Sequence, residues 1–405
     1  MDASMDDDLV LMMDAYGAFN LYDKLANKEA HLEADIWFQL PPEVLISRYH
    51  AINAAANRRL TSRLGRTARQ EEGITQTIVF GAGKRCAPNE VHTIACYPIP
   101  ESPLPDDLYG PNTDTIMGRN KYTSLRQKWL NSGYAIGPVK DMRKLFKRAE
   151  EKVEESEKHD FYDNGSHGTD LMYHGSDQSV FNIILGEQEY QREVVRRRYL
   201  SSIDKARGKK KVAPTYIEGT KVDDPLNPKF VHEPMKAEAG KSYEFGMGLD
   251  YFSDLGQQTV NSEEDARWIR YDSDFEEQIG EQTLFECSSK LTPGLPEDMS
   301  RLRGPFDSLP AEGFESGMPS SWTEVPLYSN ICLNTIPVMI HHNGDKDARE
   351  HSWPELWIQP HARKMLEATG NRDGAMEGLV GSQQAFSWDD LCPADMEREL
   401  FRDVE

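Results

Sequence analysis

The sequence predicts an α/β protein with a mixed sheet and flanking helices, because short apolar runs alternate with longer segments of helical periodicity. The clearest strand is "TQTIVFGAG" at residues 75–83, in which β-branched residues run into glycines. The clearest helix is "PPEVLISRYHAINAAANRRL" at residues 41–60, which opens on Pro and Glu and repeats apolar groups at helical spacing. With 405 residues, 38% of them hydrophobic, the chain can bury a sizeable core.

The remaining elements follow from the same two patterns. Each apolar run predicts a strand, and each segment with apolar groups three and four residues apart predicts a helix. In chain order they are a strand buried on both faces and paired in parallel ("DLVLMMD", residues 8–14), a strand with an internal turn ("WLNSGYAIGPV", 129–139), an amphipathic helix ("KDMRKLFKRAEEKVEESEK", 140–158), a helix from Asp177 to about Tyr199, and a late strand ("ICLNTIPVMI", 331–340) that ends at His341.

Composition divides the chain into four parts. Residues 1–200 carry most of the predicted core, and residues 201–243 are rich in Lys, Pro, Gly and Asp, which indicates a flexible excursion. Residues 244–350 continue the same α/β domain with loops, and residues 351–405 form a C-terminal helical tail. No internal repeat is found.

The charge balance argues against nucleic acid as a partner. The formal net charge is -22 and the pI is near 5.0, so a polyanion would be repelled. The basic run at residues 207–211 lies among loop-like residues, and we interpret it as a solvated loop rather than a localisation signal or a nucleic-acid patch.

Five cysteines without a CxxC pair indicate neither a zinc site nor a disulfide framework, although a bridge between Cys86 and Cys96 remains open. The chain has no apolar stretch of about 20 residues, so no transmembrane segment is expected. Met1 opens onto "DASMDDD" rather than a signal peptide, which read literally indicates a cytoplasmic protein.

Four segments place polar groups where ligands are often bound. Asp14 follows an apolar strand, and with Asp35 it could hold a hard divalent cation. "LNSG" at residues 130–133 can bring backbone N–H groups and an amide close to a ligand, and "GSDQSVF" at residues 175–181 places Asp177 at a helix start. "HHNGDK" at residues 341–346 offers an imidazole ligand and a cation.

Each segment also has an ordinary explanation. Asp14 can end a strand, "LNSG" can be a plain turn, Asp177 can cap its helix, and the histidines can lie in a surface turn. Adjacent strand residues point to opposite faces, so only one of His341 and His342 should bind a given ion. One shared site explains four such segments better than four coincidences.

Together these motifs resemble a glycosyltransferase family with the GT-A fold, that of the glycosyltransferase domain of procollagen lysyl hydroxylases and of similar fungal proteins. The family has "D-x-Y-D" before a "PEELL" helix, "VVFSAE" before Cys and Pro, "YLNSG", "D-D-Q-x-x-F" and a late "HGNG". The matching stretches here are "DAY" at 14–16 with "DIWFQLPPEVL" at 35–45, "IVFGAGKRCAP" at 78–88, "WLNSG" at 129–133, "SDQSVF" at 176–181 and "HHNG" at 341–344.

The resemblance implies a GT-A-like, Rossmann-like sheet and transfer of a hexose from a UDP-sugar to an unknown acceptor, with Mn²⁺ or another divalent cation bridging the diphosphate. It assigns residues to three tasks. The metal ligands would be Asp14, Asp35 and His341. The donor-binding residues would be Ser132, Gly133, Gly344 and Lys346, of which the last two contact the diphosphate. Asn131 and Asp177 would be the catalytic residues that face the sugar or acceptor.

Two departures from the family pattern concern the N-terminal part. Only residues 1–13 precede Asp14, so we expect a domain without its N-terminal nucleotide-binding portion, and a missing anchor would place the full protein in the secretory pathway. Deleting residues 17–34 gives "LVLMMDAYDIWFQLPPEVL", which restores the family spacing. Codons for Gly17 and Ala34 can supply splice-site dinucleotides, so we interpret the segment as a translated intron rather than a real insert.

Two other function classes stay open at this point. One is a glycosyltransferase-like protein that binds a ligand without catalysis. The other is a metallohydrolase using the paired histidines, which the absence of an HExxH motif disfavours.

The intron hypothesis predicts that the dominant transcript lacks the codons for residues 17–34. Sequencing cDNA across this region tests it directly. A dominant transcript that retains these codons would show that the segment is a genuine insert.

Overall fold

The structure is a computed structural model of the 405-residue chain. It describes residues 5–13, 35–91, 93–116, 122–157, 176–199, 241–273, 275–279, 287, 292–307, 318–368, 376–377, 385–386, 398 and 401. Asp14, the segment 17–34, the basic run 207–211 and nearly all of the predicted excursion at 201–243 lie outside these residues.

The described residues form eleven strands and seven α-helices. The strands are β1 (Leu9–Met13), β2 (Ile36–Phe38), β3 (Ile78–Gly83), β4 (Trp129–Pro138), β5 (Met247–Asp250), β6 (Gly256–Gln258), β7 (Ala266–Ile269), β8 (Leu327–Asn330), β9 (Met339–His341), β10 (Met376–Glu377) and β11 (Ala385–Phe386). The helices are α1 (Pro42–Leu64), α2 (Arg66–Glu71), α3 (Val139–Glu157), α4 (Asp177–Arg198), α5 (Phe275–Ile279), α6 (Lys346–Ser352) and α7 (Ala362–Ala368).

The protein is a mixed α/β protein with several small sheets and flanking helices, which confirms the predicted class at this level. The largest sheet has four strands in the order β1-β4-β3-β5, with β3 parallel to β5 and antiparallel to β4. A three-stranded sheet has the order β2-β9-β6, and β7 pairs with β8. The predicted helices at 41–60, 140–158 and 177–199 correspond to α1, α3 and α4.

The large sheet is covered on both faces. Along β3, Phe80 belongs to the apolar cluster formed with α3 and α4, whereas its neighbour Val79 belongs to the cluster formed with α1 and β9. Successive strand residues point to opposite faces, so a continuous apolar run such as "IVF" is what a doubly covered strand requires. The second sheet therefore packs on the face opposite α3 and α4.

The prediction for residues 8–14 was wrong in its pairing and burial. β1 runs antiparallel to β4 at the edge of the large sheet, and Leu9 and Met13 are exposed. A short apolar run indicates a hydrophobic strand, but the position of that strand in the sheet depends on the other strands with which it pairs.

Two predicted strands also differ in detail. Residues 129–138 form one continuous strand, and the expected turn is instead a bulge: Phe80 pairs with Ala135 while the next residue, Gly81, pairs with Asn131. The run 331–340 is interrupted, because Asn330 and Thr335 bond to each other across a turn that contains Asn334 at φ 56°. Only Met339–His341 of this region forms β9.

Two disulfides join the chain, whereas the sequence indicated no disulfide framework. Cys86 bonds to Cys96, the pairing that the sequence left open, and Cys287 bonds to Cys332. The first bridge holds the segment that follows β3. Among the residues that the structure describes, no helix is long and apolar enough to cross a membrane.

A buried carboxylate organises the turn between β5 and β6. Asp250 is almost fully buried, and its carboxylate accepts hydrogen bonds from the Tyr134 hydroxyl at 2.9 Å and from the backbone N–H of Leu255 at 2.8 Å. Burial and the neighbouring Asp250 charge raise the pKa of Asp254 to about 7. The folded protein therefore holds a proton on Asp254 that the unfolded chain releases near pH 3.8.

We predict that the protein becomes less stable as the pH rises from 5 to 8, because folded Asp254 loses its proton in this range. The folded state binds more protons than the unfolded chain between pH 3.8 and about 7, so the contribution of Asp254 is fully present below this window and is lost across it. The side chain of Asp254→Asn cannot titrate. The free energy of unfolding, measured by urea denaturation, should therefore fall less between pH 5 and pH 8 in this variant than in the wild type. Asp107→Asn, at an exposed aspartate, is the control; equal pH dependence of Asp254→Asn and wild type would contradict the assignment.

Candidate functional site

A cavity of about 610 Å³ opens beyond the carboxyl end of β3. Its walls come from segments far apart in the chain, and they include most of the motifs that the sequence singled out. The lining includes Gly83 at the end of β3 and Arg85 after it, Asn131, Ser132 and Gly133 of β4, Ser176, Asp177 and Gln178 at the start of α4, and His341 and Asn343 at the end of β9. Five of the nine predicted site residues thus lie around one space.

The ring of His341 lies directly against the backbone of Gly133. A Cβ atom added at Gly133 would stand 2.0 Å from His341 Cε1, so a side chain at residue 133 would require the imidazole to move. His341 is 2% exposed. The small residue is therefore needed here for close approach between the two sheets rather than for an unusual backbone angle.

The bulge in β4 brings this contact about. Between the pairs Phe80–Ala135 and Gly81–Asn131, residues 132–134 have no counterpart on β3. Bulges of this kind change the direction of side chains and commonly lie beside functional sites. Ser132 and Gly133, which belong to this bulge, both line the cavity.

Gln178 connects three walls of the cavity. Its Oε1 accepts hydrogen bonds from Asn131 Nδ2 at 2.9 Å and from the Ser132 backbone N–H at 3.3 Å, and its Nε2 donates to the carbonyl of Ala87. The Gly133 N–H donates to Asn131 Oδ1 at 3.1 Å. Sequence reasoning quoted Gln178 within "SDQSVF" but did not select it, because a glutamine in a helix has no distinctive spacing.

Asp177 does not cap its helix. Ser176 is the cap of α4, since its Oγ accepts a hydrogen bond from the Ser179 N–H at 3.3 Å. Asp177 is the first residue of the helix, is exposed, and lines the cavity. Its carboxylate is therefore presented to whatever occupies the cavity.

The segment after His341 is held by side-chain amides. Asn343 Nδ2 donates to Gln258 Oε1 at 3.0 Å, and its Oδ1 accepts from the Val260 N–H at 3.1 Å. Gly344 lies against Val260, where an added Cβ would meet atoms at 3.6 Å. Lys346 begins α6, which Asp345 caps. Gly344 does not line the cavity, although it follows the cavity wall directly, and the side chain of Lys346 lies outside the described part of the chain.

The structure places Asp35 in an ion pair. Arg349 Nη1 lies 2.9 Å from Asp35 Oδ1, and both side chains are buried. The backbone N–H of His342 donates to the Asp35 carbonyl, and the ring of His342 packs on Trp37 with centroids 4.0 Å apart. The two histidines thus point to different surroundings, and His341 is the one that lines the cavity.

The described residues do not by themselves fit the predicted three-ligand metal site. His341 lines the cavity, Asp35 is held by Arg349, and Asp14 lies outside the described residues. In the described part of the chain no group of three His, Cys, Asp or Glu side chains could hold a metal ion. Of the three predicted ligands, His341 is the one that the structure describes at the cavity.

Two basic residues after β3 have different roles. Lys84 is buried, and its ammonium group donates to Asp265 Oδ2 at 2.6 Å and to the carbonyls of Thr123 and Asn261 at 2.6 and 2.9 Å. All three of its donors are thus used, so Lys84 anchors the cavity wall. Burial lowers the pKa of Lys84, and the nearby Asp265 charge opposes that effect.

Arg85 is the exposed cation of the cavity wall. Its guanidinium lies over the Tyr122 ring, 5.1 Å from the centroid. Sequence reasoning missed both Lys84 and Arg85. The signal that was present is a pair of basic residues directly after a buried strand, where α/β proteins place ligands.

We predict that Gly133→Ala lowers the free energy of unfolding by about 1–3 kcal/mol, the usual cost of overpacking a buried site. The reason is the 2.0 Å approach of the new Cβ to the His341 ring. Gly344→Ala is the matched control, because its Cβ would meet ordinary contacts at 3.6 Å. Urea denaturation measures both, and equal stability of the two variants would show that the contact is not tight in solution.

No protein-family model matches the sequence, and no curated protein matches it. The function is therefore argued from the cavity and the motifs around it.

Proposed function

We propose that the protein is a GT-A-type glycosyltransferase that binds a nucleotide-sugar in the cavity at the end of β3 and transfers the hexose to an acceptor. One observation carries the proposal. Four of the segments that resemble the glycosyltransferase family, "IVFGAGKRCAP", "WLNSG", "SDQSVF" and "HHNG", meet at this cavity although up to about 260 residues separate them in the chain. Motifs that serve one site are expected to converge in this way.

The cavity has the size and lining that such a ligand needs. A volume of about 610 Å³ lies in the usual range for small-molecule sites. After its bonds to Gln178 and Gly133, the Asn131 amide keeps one N–H and one lone pair for a sugar hydroxyl. Arg85 offers a cation for a diphosphate. The cation matters because the chain as a whole carries a net charge of -22 and would otherwise repel an anionic donor.

Asp177 is the proposed catalytic carboxylate. In hexose transfer the bond between the anomeric carbon and the diphosphate oxygen breaks, the acceptor hydroxyl oxygen forms the new bond, and the hydroxyl proton must go to a base. Asp177 is exposed on the cavity wall and is not the helix cap. It can accept that proton or hold the reacting hydroxyl in place.

For Mn²⁺ or another divalent cation, we propose only which residue would bind it. A bound cation would neutralise charge on the diphosphate, and we propose that His341, which lines the cavity, would hold it. Because Asp35 is paired with Arg349, no step of the transfer is assigned to the metal.

The same ion pair favours a second candidate, a glycosyltransferase-like protein that binds a nucleotide-sugar without turning it over. Separating the buried Asp35 carboxylate from Arg349 would cost several kcal/mol, of the order of 3–5. A protein that keeps this pair retains the cavity but not the acidic metal ligand.

We also propose that the protein works in the secretory pathway. Two disulfides are typical of proteins that fold in an oxidising compartment. This inference agrees with the compartment that the family resemblance implies.

The enzyme proposal predicts that the protein hydrolyses a UDP-hexose slowly, with water as the acceptor, and that Asp177→Asn reduces the rate at least about 100-fold. Glu43→Gln is the matched control, because Glu43 is also an exposed acid in the first turn of a helix but does not line the cavity. UDP release at saturating Mn²⁺ measures the rate, and the control should stay within about twofold of wild type.

Binding of the same UDP-hexose, measured by calorimetry, separates the two candidates. Binding without turnover would identify the non-catalytic protein, and absence of both would overturn each of them. If Mn²⁺ strengthens binding through His341, the affinity of His341→Ala for the UDP-hexose should be the same with and without Mn²⁺.

A further inference from the structure

A second cavity, of about 710 Å³, lies between α1 and α4 alongside β5, which is at the opposite edge of the large sheet from β1. It shares no lining residue with the cavity at the end of β3. Its size is again that of a small-molecule site. The motifs discussed above do not account for it.

The charges around this cavity favour an anion. Four arginines and two glutamates line it, and both glutamates are already paired: Glu189 with Arg63 at 2.7 Å and with Arg192 at 2.6 Å, and Glu101 with Lys128 at 3.4 Å. Arg58 and Arg59 have no ion pair among the described residues. Within the described part of the chain, these two guanidinium groups are therefore available to an anion.

The floor of the cavity is apolar. It is formed by buried side chains that include Leu60, Ile99, Leu185, Met247 and Leu249. A ligand that fits both walls therefore has an apolar body and a charged end, because an inorganic anion would leave the apolar floor uncovered.

Two polar groups at the cavity can complete the recognition of an anion. Burial raises the pKa of Tyr251 to about 12, so its hydroxyl is a neutral hydrogen-bond donor at pH 7. Gln76 is 6% exposed, and its Nε2 donates to no acceptor within the described part of the chain. Burying an amide donor without a partner is unfavourable, and a bound ligand can supply the missing acceptor.

We propose that this second cavity binds an anionic amphiphile, a small molecule with an apolar body and a single carboxylate or phosphate head, with the head at Arg59 and Tyr251. Arg59 is half-buried in the wall, while Arg58 is exposed at its edge. The ligand would lie on a different part of the protein from the nucleotide-sugar, so the site is independent of the glycosyltransferase proposal.

Calorimetric titration of the full chain with octanoate and with octyl phosphate tests the proposal and identifies the preferred head. Octanol supplies the apolar body without the charge, and acetate supplies the charge without the body. At least one of the two amphiphiles should bind at least tenfold tighter than both octanol and acetate. Equal binding of all four probes, or no binding, would overturn the proposal.

Three variants show whether the bound probe occupies this cavity. Arg59→Met keeps the length of the side chain but removes the charge, and Ala55→Leu fills part of the cavity from α1 without changing charge or helix propensity appreciably. Each should weaken binding of the tighter amphiphile at least tenfold. Arg66→Met, at an exposed arginine that does not line the cavity, should leave it unchanged; unchanged binding in both cavity variants would overturn the proposal.

Discussion

The contact between the His341 ring and the backbone of Gly133 is the constraint on which the candidate site depends. His341 ends β9 in the three-stranded sheet, and Gly133 lies in the bulge of β4 in the four-stranded sheet. The two sheets can approach this closely only because residue 133 has no side chain. The same contact leaves the imidazole at the cavity wall, beside the start of α4.

Around this contact the cavity is held by buried hydrogen bonds rather than by apolar packing alone. Gln178 connects the α4 wall to the β4 bulge, Asn343 connects the β9 end to β6, and Lys84 ties the segment after β3 to Asp265. These bonds fix the positions of the cavity walls relative to one another, and walls that are fixed in this way lower the ordering cost of binding.

The structure separates two tasks that the sequence had joined. Asp35 and His341 were both expected to bind one cation, but Asp35 pairs with Arg349 while His341 faces the cavity. The second cavity shows a related principle. There two arginines that have no ion pair within the described part of the chain lie above an apolar floor, so charge and shape together define the kind of ligand. Neither feature is visible in a single stretch of sequence.

The sequence by itself determined the mixed α/β class, the positions of α1, α3 and α4, and the choice of Asn131, Gly133, Asp177 and His341 as residues worth attention. These follow from local physics: hydrophobic periodicity reports the element type, and polar groups next to apolar strands stand out. The antiparallel edge position of β1, the bulge in β4, the cap at Ser176 and the partner of Asp35 depended on residues distant in the chain. Only the tertiary structure decided them, because strand pairing and ion-pair choice are settled by which segments meet when the core closes.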